Sequence, residues 1–158
     1  MRIITQYLLL LCTIGMPVQA FETILPDFSN DQAEFGFLRT RITEAMLQGP
    51  NFAGHYTVIK VGCGTQCTIV FVADNKTGEV YDFPYGGEEH SQMHLEYGLD
   101  TDSILVSFKT YSTDEAGDNQ CVAKQLRFDD GEFIEERSKS TAEDSFLCST
   151  ASELLGMD

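Results

Sequence analysis

The chain has 158 residues, and 25 Asp and Glu against 10 Lys and Arg give it a formal net charge of −15. That excess repels phosphate backbones and anionic lipid surfaces, so neither a nucleic-acid partner nor an anionic membrane surface is expected. A composition of 42% hydrophobic and 22% charged residues suits one globular domain.

The first twenty residues have the three parts of a cleavable secretory signal. Arg2 supplies the positive end, Tyr7 to Met16 the apolar core, and Val18-Gln19-Ala20 the small-residue cleavage site. The apolar core falls short of the roughly 20 residues that a permanent span requires. Cleavage after Ala20 gives residues 21–158 as a single domain beginning at Phe21. Loss of Arg2 leaves 9 basic residues against the same 25 acids. The expected location is the periplasm or the exterior, with no membrane attachment after signal removal. Charge of this size would steer a cationic protein or peptide inward as partner, although the plainer reading, which the sequence favours, is that it only keeps an exported protein soluble.

Beyond the lead-in around Pro26, the spacing of Phe35, Leu38, Ile42, Ala45 and Met46 predicts one amphipathic helix over residues 31–48. Ser29-x-x-Gln32 precedes it as a weak capping box, and Gly49-Pro50 ends it. The period then changes to that of strands. His55 to Val61 and Thr68 to Ala73 are rich in β-branched and aromatic residues. Asn75 to Gly78 turns the second of these into Glu79 to Phe83, with Gly78 at positive φ. Leu95 to Leu99, Ile104 to Thr110, Val122 to Phe128 and Phe133 to Arg137 are the remaining candidates, the last two joined by an Asp129-Asp130-Gly131 turn. Ser140-x-x-Glu143 is read as the cap of a short last helix holding Phe146 and Leu147. The expected fold class is α+β: an N-terminal amphipathic helix packed on an antiparallel sheet of hairpin-linked strands, with a short C-terminal helix.

Cys63, Cys67, Cys121 and Cys148 remain after signal cleavage, an even number suited to an oxidising compartment. Four cysteines allow three pairings. A hairpin of the strands at 55–61 and 68–73 brings Cys63 opposite Cys67, which leaves Cys121 for Cys148. Three residues separate Cys63 from Cys67, whereas a thioredoxin-like redox pair has two.

Asn51-Phe52-Ala53-Gly54-His55-Tyr56, Gly62-Cys63-Gly64-Thr65-Gln66-Cys67 and Asp74-x-x-Thr77-Gly78-x-Val80-Tyr81 together resemble a family of small exported bacterial proteins. The resemblance extends over roughly residues 35–137. It departs in the second half, where that family is richer in tyrosine and tryptophan and this chain has no tryptophan. The resemblance implies an exported single domain and no particular reaction, cofactor or metal.

Three histidines are the candidate functional residues. His55 lies near the Cys63/Cys67 pair, but a Cys–His nucleophile needs a free thiolate, which export disfavours. His90 and His94 belong to the polar stretch Glu88–Glu96, which lacks the Glu of an H-E-x-x-H zinc site and, following Gly86-Gly87, reads as a loop. Asp114, Asp118 and Asn119 lack the spacing of a calcium loop. No catalytic residue and no metal or cofactor ligand set is defined. The sequence favours a non-enzymatic binding module over an envelope enzyme built on His55 or on His90 and His94.

Overall fold

The computed structural model describes residues 22–111, 119–142 and 148–157. The signal segment with Phe21, the acids Asp114 and Asp118, and Phe146 and Leu147 lie outside the described residues.

Two antiparallel sheets stack in layers. The first has the order β1-β2-β3, from β1 (Tyr56–Gly64), β2 (Cys67–Asp74) and β3 (Val80–Asp82). The second has the order β4-β5-β6-β7, from β4 (Ser91–Glu96), β5 (Ser103–Thr110), β6 (Gln120–Asp129) and β7 (Glu132–Ala142). The class is α+β and mostly β. The single sheet expected from the hairpin count is in fact two, because β1 and β2 are apolar on both faces and each face needs a cover. Val58, Val70 and Val72 point to the second sheet and meet Ile104, Val106, Phe108, Val122, Leu126 and Phe128. Ile59, Phe71 and Ala73 point the other way and meet Phe35, Ile42 and Met46 from the N-terminal helical segment. On the far side of the second sheet, Cys121 and Ala123 of β6 are covered by Ala151 and Leu154 of the short helix α2 (Ala151–Leu155).

The expected helix over 31–48 is divided. A 3-10 turn covers Ala33–Leu38, and α1 covers Arg39–Leu47, with Leu38 at φ −110° and ψ 11° between them. Gly36, a poor helix former, falls inside the first part, and no side chain caps α1. Phe35, Ile42 and Met46 are buried as the spacing requires, but Leu38 is only half-buried. Leu38→Ala should therefore cost about 1 kcal/mol, below the roughly 2–5 kcal/mol of a fully buried leucine. Urea denaturation measures this, and a loss above about 3 kcal/mol would mean that Leu38 is a full core residue.

Further differences concern the second half. Residues 88–96 are not a loop: a 3-10 turn over Glu88–His90 leads into β4. Strand β7 runs to Ala142, so Ser140 is extended and does not cap a helix. The capping box belongs instead to Thr150 and Glu153 at the start of α2. Glu96 of β4 adds to that helix start by accepting the Ser152 N–H at 3.0 Å.

Cys63 is bonded to Cys67 and Cys121 to Cys148, with Cα separations of 5.1 and 5.5 Å. The local geometry at the first pair is not a simple cross-strand opposition. Gly64 pairs with Cys67 about a two-residue turn, and Cys63 sits where the register shifts between Gly62 and Gly64. Gln66 takes φ 60° in that turn.

Candidate functional site

The N-F-A-G-H-Y segment is a folded corner. Asn51 uses its side-chain amide as a substitute strand partner: Oδ1 accepts the Val58 N–H at 2.8 Å and Nδ2 donates to the Val58 carbonyl at 3.3 Å. Phe52 is fully buried among Tyr56, Tyr97 and Phe128. Ala53 and Gly54 both take positive φ, and their N–H groups donate to the carbonyls of Gly98 and Leu99. The corner thus delivers His55 and Tyr56 to one end of the first sheet.

Two other turns arrive at the same end. Asp74 to Glu79 closes the β2–β3 hairpin with Gly78 at φ 81°, as expected for that turn, and a Cβ on Gly78 would lie 2.9 Å from the Leu25 carbonyl oxygen. The second is Asp129 to Glu132, the β6–β7 turn, with Asp130 at φ 48° and Gly131 at φ 90°. Positive φ at both central residues marks the hairpin turn that suits strand twist. Gly131 is required for a further reason: a Cβ there would fall 2.5 Å from Cε1 of Tyr81. The close approach seats the Asp129-Asp130 turn against the Tyr81 ring.

The resulting face is aromatic at its centre and acidic at its margin. The His55 ring lies on Tyr56 with centroids 4.2 Å apart, and Tyr56 and Tyr81 both meet Phe128 edge-on at 4.9 and 5.7 Å. Burial, with the surrounding carboxylates of Asp74, Asp130, Glu79 and Asp129, pushes the Tyr56 phenol above its ordinary value. Burial, and then the Glu79 carboxylate that accepts its hydroxyl at 2.7 Å, raise Tyr81 likewise. Both phenols therefore stay neutral at physiological pH. Arg127 contacts Asp129 at 2.9 Å, and Lys76 lies close enough to act on His55.

The three predicted histidines are in different places. His55 is half-buried, with Nε2 3.7 Å from Oδ1 of the buried Asp74, which also accepts the Lys76 N–H at 2.7 Å. The His–Asp separation exceeds hydrogen-bond length. Burial lowers the His55 pKa, the Asp74 carboxylate opposes that, and Lys76 adds to it. His90 ends the 3-10 turn, its Nδ1 2.9 Å from the Gly86 carbonyl oxygen, and its ring packs edge-on against Phe108 and Tyr85. It lines a surface groove of about 360 Å³ with Phe83, Tyr85 and Glu89. His94 is exposed on β4 opposite Ser107. With Cys63 and Cys67 bonded to each other, neither is a thiolate partner for His55. Among the described residues, no group of three His, Cys, Asp or Glu side chains is placed to hold a metal ion. None of their helices is long and apolar enough to cross a membrane.

Sequence reasoning singles out His55 but misses its surroundings. On spacing alone, Tyr56, Tyr81 and Glu79 read only as strand residues, and Asp129 and Asp130 only as turn formers. Comparison with known protein families, curated proteins and solved structures finds no match.

Proposed function

We propose that the mature chain is an exported, non-enzymatic binding module. It takes a cationic protein or peptide on the face formed by Tyr56, Tyr81, Glu79, Asp129 and Asp130. The observation that carries this reading is geometric: Gly131 seats the exposed Asp129-Asp130 turn against the Tyr81 ring, and the exposed Glu79 carboxylate accepts the Tyr81 hydroxyl at 2.7 Å, so three carboxylates gather beside the tyrosine rings. An ammonium or guanidinium group gains from an aromatic face and from carboxylates beside it, and the charge of the whole molecule steers such a partner inward. The disulfides and the secretory signal fit a periplasmic or extracellular site of action.

The test is a calorimetric titration of the oxidised mature protein with lysine-rich and arginine-rich peptides, at low and at high salt. Binding should be seen with the cationic peptides, weaken as salt rises, and be absent with a glutamate-rich control. The triple variant Glu79→Gln, Asp129→Asn, Asp130→Asn should stay folded, since Asn is at home in the Asp130 turn position, and should bind about tenfold or more weakly. Equal affinity in the variant, or no binding at low salt, would remove the proposal.

A further inference from the structure

Two non-glycine residues with left-handed backbone meet at the hairpin end that the Cys63–Cys67 bond closes. Gln66 takes φ 60° in the β1–β2 turn and Gln92 takes φ 55° in β4, and the Gln92 N–H donates to the Gln66 carbonyl at 3.0 Å. Residues with a side chain adopt that conformation at a cost and keep it only where their surroundings hold them. The side-chain Oε1 of Gln92 adds to the cost, since it is buried and accepts no hydrogen bond among the described residues. The β4–β5 ladder does not pair Gln92, because its register breaks between Ser91 and His94.

Cys67 lies between the two carbonyls that fasten the segment carrying His90. Gln66 holds Gln92 at one end of that segment, and Thr68 accepts the Gly87 N–H at 2.9 Å at the other. Glu89 and His90 lie between these fastenings and line the groove of about 360 Å³. By fixing Cys67, the disulfide fixes the chain at both carbonyls. Cys63 is exposed at this end, whereas Cys67 is buried. The other disulfide is differently placed: Cys121 is 1% exposed and lies beneath α2. Exposed or strained disulfides are the ones open to exchange with outside thiols, and sheltered structural ones resist it. Opening the Cys63–Cys67 bond leaves the β1–β2 ladder from Tyr56 to Gly62 in place.

We infer that the Cys63–Cys67 bond is a site of thiol–disulfide exchange with an external dithiol, and that its reduction frees the His90 segment while the fold stays intact. One thiolate of the dithiol attacks Sγ of the exposed Cys63 and forms a mixed disulfide. The Cys63–Cys67 bond breaks, and its electron pair leaves on Sγ of Cys67, which takes up a proton. The second thiolate of the dithiol then attacks the mixed disulfide and releases Cys63. The protein gains two electrons and two thiols, and the dithiol ends as its own disulfide. Gln66 is then free to leave its left-handed conformation, the Gln92 N–H loses its acceptor, and the wall of the groove at Glu89 and His90 loosens. The exchange site lies at the far end of β1 from the aromatic and acidic face, so it is independent of the cationic-partner reading.

Equilibration of the mature protein with graded mixtures of reduced and oxidised dithiothreitol, followed by alkylation and peptide mass mapping, tests the exchange. Cys63 and Cys67 should become alkylatable at a ratio of reduced to oxidised dithiothreitol about tenfold or more below that needed for Cys121 and Cys148. Hydrogen exchange followed by NMR tests the release. In protein reduced only at Cys63 and Cys67, the amides of Gly87 and Gln92 should exchange about tenfold or more faster, while those of Val106 and Ala123 in the second sheet keep their protection. The Cys63→Ser, Cys67→Ser variant should show the same pattern without reductant, which separates loss of this bond from any action of the reagent on Cys121–Cys148. Reduction of both bonds together, or of Cys121–Cys148 first, overturns the inference. Unchanged exchange at Gly87 and Gln92 in the reduced protein or in the variant overturns it too, as does loss of protection throughout the second sheet.

Discussion

Asn75→Ala is expected to lower the stability of the oxidised protein by about 3 kcal/mol, through the loss of three buried or half-buried hydrogen bonds. Asn75 is fully buried, and its side chain connects three separate stretches of chain. Its Oδ1 accepts the Thr57 hydroxyl at 2.6 Å, while Nδ2 donates to the Met46 carbonyl at 3.0 Å and to the Thr23 hydroxyl at 3.3 Å. These bonds fasten the C-terminal end of α1, the start of β1 and the N-terminal lead-in to the β2–β3 turn. Alanine removes these three hydrogen bonds, each contributing roughly 1 kcal/mol, and adds a small cavity; the Met46 carbonyl keeps the Gly49 N–H and the Thr57 hydroxyl keeps the Gly49 carbonyl. Asn75→Asp should not rescue: it retains an acceptor for Thr57 but turns a second oxygen toward the Met46 carbonyl. Urea denaturation of both variants gives the answer, and a loss under about 1 kcal/mol for Asn75→Ala would show that the hub is not needed. The same turn carries Glu79, so loosening it should also weaken capture of a cationic peptide.

How much of this is legible in the sequence depends on whether the signal is local. Alternation and turn chemistry locate β1, β2, β3, β5 and β6 to within a few residues, because those strands bury apolar side chains and, β5 apart, end at Gly or Asp. The unbroken apolar run of β2, Ile69-Val70-Phe71-Val72-Ala73, also carries the mark of a strand buried on both faces. Given that weight, it requires two covering layers in place of one. The extension of β7 through Ser138, Lys139, Ser140 and Thr141 has no apolar alternation to reveal it, since main-chain pairing with β6 maintains it. The candidate face is illegible for a different reason. Asp129-Asp130-Gly131 looks the same as any hairpin turn until Tyr81, far away in the chain, is seen pressed against Gly131. Asn75 likewise reads as an ordinary turn residue, and only its burial beneath Met46 and Thr57 makes it a hub.

The two disulfides should differ in what they contribute. Replacing Cys121 and Cys148 together by alanine is expected to cost roughly 3.5 kcal/mol, against roughly 2 kcal/mol for Cys63 and Cys67, on the chain-entropy account of loop closure. The difference follows from sequence separations of 27 and 4. Local structure points the same way. The Cys63–Cys67 bond spans a turn whose strands are already held by the long β1–β2 ladder. The Cys121–Cys148 bond anchors the segment that carries α2, a five-residue helix too short to persist without tertiary support. Apart from the disulfide, α2 is held by Ala151 and Leu154 on β6 and by the Glu96 carboxylate on the Ser152 N–H. Burial opposes ionisation of Glu96, but the hydrogen bonds from Ser152 and Ala151 outweigh it and hold its pKa below the ordinary value, so that contact persists at neutral pH. Without the covalent link, α2 should detach at small cost and expose the positions of Cys121 and Ala123, which are otherwise buried. Limited proteolysis should then trim the doubly substituted chain beyond Ala142 while leaving the Cys63→Ala, Cys67→Ala protein whole. Equal or greater destabilisation from the 63–67 replacement, or a C-terminal segment that resists protease without Cys148, would show that packing and not the disulfide holds α2 in place.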